Sequence, residues 1–313
     1  MEGLIMKSVG SWYSVKTEHG QVVQARIVGK LRLEDVKTTN PLAVGDKVIL
    51  DSDVNNDFVI REVKPRINYV VRQSPRKKHN VHLIASNVDL ALLIVTMVEP
   101  NLKQGFIDRF LMMTEPYNIP VAILFNKSDL YSEDDMVFFN YLKTLYTSIG
   151  YEVILVSAEQ NLNIDLVRTL IKDKVSLISG QSGVGKTSLL NVIAPDLDLR
   201  TGELSDYSGK GQHTTTFAEM HELPGGGYII DTPGIKALAF NNLEVMDVAH
   251  NFREFFILSQ DCKFSDCTHR NEPKCAVKEA VNNGEVSELR YNNYLQIIQE
   301  IEDQNYWEVH NEI

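Results

Sequence analysis

The sequence predicts an α/β domain on a parallel sheet, preceded by a small β barrel and followed by a mostly helical, metal-binding segment. Three observations predict this. From Val88 onward, continuous apolar runs such as Leu90–Val95 and Val121–Phe125 alternate with helical patterns, as for strands buried on both faces of a parallel sheet. Ahead of them, residues 7–66 hold short β-branched or aromatic runs separated by polar turns. Behind them, all three cysteines of the 313-residue chain fall between positions 262 and 275.

The barrel runs are Trp12–Val15, Val22–Val28, Lys47–Leu50 and Phe58–Ile60. Glu18-His19-Gly20, Val44-Gly45-Asp46 and Asn55-Asn56-Asp57 separate them. The spacing suits an OB-fold over residues 1–66, although a generic five-stranded module fits the same runs. OB barrels commonly carry nucleic acid on one face. Residues 61–82 then hold seven basic side chains (Arg61, Lys64, Arg66, Arg72, Arg76, Lys77, Lys78) against Glu62 alone. The stretch reads as a basic linker over 67–87, either solvated or tracking RNA phosphates.

Within the α/β region, the helix pattern Phe106–Met113 lies between the first two strands. Asn126-Lys127-Ser128-Asp129 follows the second strand, and a helix capped by Ser132 or Glu133 places Phe138, Leu142, Leu145 and Tyr146 on one face. Val153–Val156 is the third strand and ends in Ser157-Ala158; a helix over Ile164–Ile171 follows. An N-K-x-D turn after a buried strand is suited to guanine. The Asp129 carboxylate accepts from N1–H and the exocyclic amine, which adenine cannot offer. Asn126 reaches the O6/N7 edge, the Lys127 stem covers the base, and the Ala158 N–H points at O6.

The strand Lys174–Ser179 leads into Gly180-Gln181-Ser182-Gly183-Val184-Gly185-Lys186-Thr187, which fits G-x-x-x-x-G-K-[ST], with Ser188 opening a helix. Its backbone N–H groups and the helix N-terminus suit phosphates. Lys186 reaches the β/γ-phosphates and the Thr187 hydroxyl ligates Mg²⁺. Base-reading loops normally follow the phosphate loop; here both precede it. The order therefore predicts a circular permutation, which the proximity of termini in domains permits.

Residues 199–216 are polar and glycine-rich and end in Gln212-His213-Thr214-Thr215-Thr216. They suit a switch loop in which Thr215 closes over Mg²⁺ and the γ-phosphate. A hairpin over Phe217–Leu223 and Tyr228–Ile230 leads to Asp231-Thr232-Pro233-Gly234, with Asp231 directed to Mg²⁺ and the Gly234 N–H to the γ-phosphate. Ile235 cannot orient water. His213 is the local candidate for that task, an exposed loop histidine being the alternative.

From Leu243 the chain reads as helical. Cys262-x4-Cys267-x-His269-x5-Cys275 uses every cysteine and suits a closed, structural Zn²⁺ shell. Lys263, His269, Arg270, Lys274 and Lys278 form a basic rim, solvated or in contact with RNA. The net charge of −11 argues against non-specific coating of nucleic acid. The N-terminus lacks a signal-peptide pattern, no apolar run is long enough to span a membrane, and unpaired cysteines suit a reducing compartment.

Taken together, the barrel, N-K-S-D ahead of G-Q-S-G-V-G-K-T, the G-Q-H-T-T-T loop, D-T-P-G and C-x4-C-x-H-x5-C resemble the RsgA (YjeQ/YloQ) family over nearly the whole chain. The resemblance implies a cytoplasmic GTPase, turning over GTP to GDP and phosphate and stimulated by the small (30S) ribosomal subunit. It implies rRNA binding and a role in late maturation of that subunit, with nucleotide-dependent release. It also places the family's catalytic histidine on His213. The expected fold class is an α/β P-loop GTPase domain, circularly permuted, at 67–242. An OB-fold barrel spans 1–66 and a mostly helical zinc-binding domain 243–313. The chain is expected to act as a monomer, with nucleotide state passed to the zinc domain through residues 235–250. A GTP-gated rRNA-binding factor in which hydrolysis is incidental is the alternative.

Overall fold

Strand edges in a small β domain are safest when paired, and the first five strands pair all the way round. The computed structural model describes residues 1–27, 40–52, 58–73, 81–197, 218–231 and 243–310. Strands β1 (Glu2–Val9), β2 (Trp12–Thr17), β3 (Val22–Ile27), β4 (Lys47–Ser52) and β5 (Phe58–Val63) run in the order β1-β2-β3-β5-β4, and β4 returns to β1. This closes a barrel around Ile5, Tyr13, Val15, Ala25, Val48, Leu50 and Ile60. β1 was not anticipated: Glu2-Gly3-Leu4-Ile5-Met6-Lys7 has no β-branched alternation, and its pairing to both β2 and β4 is what makes it a strand.

Residues 67–87, expected as a linker, contain an antiparallel hairpin of β6 (Tyr69–Gln73) and β7 (Val81–Ser86). Beside it, Arg66 grips the fully buried Asp46 with Nε and Nη2, both at 2.7 Å, while the Ser86 hydroxyl and the Ala43 N–H donate to the same carboxylate. Arg61 pairs with Asp51 and Lys64 with Glu2. Three of the seven basic side chains are thus engaged on the barrel. Arg76, Lys77, Lys78 and the Arg72 side chain lie outside the described residues.

The central domain runs β8 (Leu90–Val95), α1 (Gly105–Thr114), β9 (Val121–Phe125), α2 (Glu133–Ser148), β10 (Glu152–Leu155), α3 (Ile164–Ile171), β11 (Val175–Gly180), α4 (Lys186–Ile193), β12 (Glu219–Glu222) and β13 (Tyr228–Asp231). Their spatial order is β10-β9-β8-β11-β13-β12, parallel except for β12. The phosphate-loop strand β11 is therefore central although it comes fourth in sequence. β12 also pairs antiparallel with β1, so among the described residues barrel and domain share one eleven-stranded sheet. The α2 N-terminus is a capping box: the Asp135 N–H donates to Ser132 Oγ, and the Ser132 N–H to the Asp135 carboxylate. Its buried face is Phe139, Leu142 and Tyr146; Phe138 is exposed. The adjacent phenylalanines made the phase ambiguous, and the 139/142/146 spacing satisfies the helix period.

The C-terminal unit contains α5 (Val245–Asn251), α6 (Arg253–Ser259), α7 (Ala276–Asn282) and α8 (Glu288–His310). It docks on α1 through a buried ionic knot. Arg290 and Asp108 are both 0% exposed and paired, and Arg290 also grips Glu254. The Tyr146 hydroxyl and Asn293 Nδ2 donate to Asp108, and Asn293 also bonds Gln104.

Candidate functional site

The phosphate loop leaves β11 at Gly180, whose φ of 155° would press a Cβ to 2.2 Å from the Ile94 carbonyl oxygen of β8. Glycine is thus required where the turn crosses its neighbour. Gly185 (φ 88°) is close-packed for a different reason: a Cβ there would lie 2.5 Å from Asn126 Nδ2. Ser182, Gly183 and Ser188 are exposed, Gln181 and Thr187 half-buried, and Val184 and Lys186 buried. Lys186 donates to the Gly180 and Gln181 carbonyls at 2.9 and 2.7 Å, and burial lowers its pKa, countered by Asp231.

Asn126 ties the motifs together. Its Nδ2 donates to the Val184 carbonyl at 3.0 Å, and its Oδ1 accepts from the Ala158 N–H at 3.3 Å. The phosphate loop, the N-K-S-D turn and the Ser157-Ala158 turn therefore meet on one side chain, itself 1% exposed. The Ser157 hydroxyl donates to Asp129, leaving that half-buried carboxylate oriented, with Ser128 beside it, and Lys127 sits in the left-handed region at φ 62°. These residues are distant in sequence and converge because β9, β10 and β11 all end at the same rim of the sheet.

Asp231 ends β13. Burial pushes its carboxyl up to about 6, with Lys186 pulling it back, and Oδ1 has no hydrogen-bond partner among the described residues. A buried, unpartnered carboxylate oxygen beside the phosphate loop fits a hard cation such as Mg²⁺. His213, Thr215, Gly234 and Ile235, assigned above to the switches, lie outside the described residues.

In the C-terminal unit, the ligand atoms of Cys262, Cys267, His269 and Cys275 all lie within 4.8 Å of one another. Cys262 Sγ is 3.9 Å from Cys275 Sγ, and His269 Nδ1 is 3.7 and 3.4 Å from these two sulfurs. A tetrahedron with Zn–S of about 2.3 Å has edges near 3.8 Å, so the donor set fits Zn²⁺. Burial lowers the His269 pKa, keeping the imidazole in its neutral, ligating form. Tyr291 and Tyr294 donate to the His269 and Thr268 carbonyls, holding the knot on α8. Of the expected basic rim, His269 is buried and Arg270 is paired with Glu302; neither faces outward freely.

Sequence reasoning missed the Arg290–Asp108 knot and Tyr131, whose hydroxyl bridges the base-reading loop to the segment after β8. Neither has a local signature, since each is set by partners far along the chain.

A phosphate loop on the central strand, the N-K-S-D and Ser157-Ala158 turns at the same rim and this chain order define a circularly permuted P-loop GTPase. A family model described as RsgA GTPase matches residues 63–241, and one described as RsgA N-terminal domain matches residues 2–60. The chain belongs to the RsgA GTPase family and is a GTP-hydrolysing enzyme. It is similar to a Bacteroides fragilis (strain YCH46) protein named small ribosomal subunit biogenesis GTPase RsgA, 45% identical over 98% of this chain and 99% of that one. A protein of the same name from Phocaeicola vulgatus is 46% identical over the same shares. Among solved structures, YjeQ from Thermotoga maritima covers 96% of this chain and 98% of its own at 34% identity, with a TM-score of 0.76. YloQ, titled a circularly permuted GTPase, covers 97% and 95% at 32% identity and a TM-score of 0.74. The family implies GTP/GDP and Mg²⁺. No helix among the described residues is long and apolar enough to cross a membrane.

Proposed function

We propose that this GTPase acts in maturation of the small ribosomal subunit in the cytoplasm, binding rRNA, hydrolysing GTP when docked and leaving in the GDP state. The full-length relatives named for small-subunit biogenesis support the partner. The observation that carries the nucleotide assignment is Asn126, bonded at once to the phosphate loop and to the Ser157-Ala158 turn. Asn126, Lys127, Ser128, Asp129, Ser157 and Ala158 take the guanine, and residues 180–188 the phosphates. Thr187 and Asp231 hold Mg²⁺, which supplies charge neutralisation at the phosphates when bound. Cys262, Cys267, His269 and Cys275 hold a structural Zn²⁺. Domains are assigned at 1–66, 67–242 and 243–313, with the chain acting as a monomer.

In this scheme Lys186 leaves its carbonyls to meet the β/γ-phosphates. The Gly234 N–H and Thr215 close on the γ-phosphate, and His213 orients or deprotonates the attacking water because Ile235 cannot. Asp129→Asn tests the base assignment. The new amide presents a donor to guanine N1–H and amine, so GTP binding weakens by about 1–3 kcal/mol. Xanthosine nucleotides, whose C2 oxygen accepts, become preferred. Unchanged GTP affinity in a titration would remove the assignment.

A further inference from the structure

The segment between β8 and α1 lies against both nucleotide loops, and one side chain fastens it. The Tyr131 hydroxyl accepts from the Met97 N–H at 3.1 Å and donates to the Asn126 carbonyl at 2.8 Å, using its proton and a lone pair at once. Its ring is largely buried, and burial raises its pKa, so the hydroxyl stays protonated as a donor. Two residues on, the Glu99 carbonyl accepts from Lys127 Nζ at 2.6 Å. Pro100 approaches the phosphate loop, where a Cβ on Gly183 would meet its Cδ at 3.4 Å. Lys127 needs such bracing: φ 62° is disfavoured for any residue carrying a Cβ, yet it sets the direction from which Asp129 meets the base.

We propose that Tyr131 is a positioning residue for guanine selectivity, locking the Asn126–Asp129 turn to the Met97–Pro100 segment. It touches neither base nor phosphate in this scheme. It acts through the Asn126 backbone, and thus on how squarely the Asp129 carboxylate faces the purine edge. The inference rests on the assignment of Asp129 as the base reader. Tyr131→Phe keeps the ring and its packing but leaves the Met97 N–H and the Asn126 carbonyl without their shared partner, so the turn loses its tether while the fold is retained.

The test compares GDP with IDP, which lacks the exocyclic amine, by calorimetric titration of the full chain. Tyr131→Phe should weaken GDP by about tenfold and IDP by less, shrinking the GDP:IDP preference. The KM for GTP should rise with kcat retained at saturation, because the Tyr131 hydroxyl bonds the Met97 and Asn126 backbones and no group of the phosphate loop. Equal weakening of both nucleotides would reduce Tyr131 to a packing residue and overturn the inference, as would an unchanged GDP affinity. Asp129→Asn, run alongside, separates the two layers. If it abolishes the GDP:IDP preference while Tyr131→Phe does not, only the positioning role fails. If neither variant alters it, the base assignment fails as well.

Discussion

Replacing Arg290 with alanine is expected to destabilise the protein by about 3–5 kcal/mol, the cost of leaving a buried carboxylate without its cation. Arg290 has no exposure; burial alone would disfavour its charge, but Asp108 and Glu254 hold it ionised, and its guanidinium lies 4.6 Å from the Phe252 ring centroid. Removing it strands Asp108, also fully buried, and opens a void between α1, α6 and α8. The thermal midpoint, followed by circular dichroism, should fall by on the order of 10 °C. A double replacement, Arg290→Met with Asp108→Leu, should cost less than the sum of the single changes because the fully buried carboxylate leaves with its cation and only the less buried Glu254 is left unpaired. A change below about 1 kcal/mol for Arg290→Ala would contradict this account of the interface.

Metal removal is expected to have a comparable or larger effect, confined to the C-terminal unit. Structural zinc sites contribute about 10–16 kcal/mol of apparent binding energy in isolated peptides. Here Cys275 also caps α7 by accepting from the Lys278 N–H, so losing the knot unpins that helix. The Thr268–Glu272 loop adds its own support: burial would raise the Glu272 carboxyl, but hydrogen bonds from Thr268 and Arg270 hold it down at about 2. Burial pushes the Cys267 thiol up to about 12 without a metal, so uptake must displace its proton and apparent affinity falls as pH drops. Purified protein should carry one zinc per chain by elemental analysis. Chelation should release it and lower the near-ultraviolet dichroism of Tyr291 and Tyr294, which stack at 6.3 Å beside the knot. Protein that holds no zinc, or that keeps its tertiary signal after chelation, would contradict the structural role.

The parts of this molecule legible in the sequence are those whose chemistry is local. Gly180 and Gly185 are dictated by close backbone and side-chain approaches, the proposed role of Asp129 by the hydrogen bonds of a base, and the clustered cysteines and His269 by a donor set that fits a four-coordinate shell. Such requirements write fixed spacings, and their order along the chain exposed the permutation. What the sequence concealed is set by partners far away. β1 is a strand because β2, β4 and β12 surround it. Arg66 resembles its basic neighbours until Asp46 is seen beneath it, and Arg290 meets Asp108 across 182 positions. Tyr131 follows N-K-S-D-L with nothing to mark it except the two backbone groups that its hydroxyl joins.

The proposal that this GTPase hydrolyses GTP when docked, with His213 on the attacking water, is tested most directly by multiple-turnover GTP hydrolysis with and without purified small ribosomal subunits, for the native chain and for His213→Ala. The account predicts slow turnover alone and stimulation by orders of magnitude with subunits. In His213→Ala, the stimulated rate should fall by roughly a hundredfold or more while GTP affinity holds. Equal rates with and without subunits would contradict it and leave a GTP-gated binding factor in its place; full stimulation of His213→Ala would assign the water to another group.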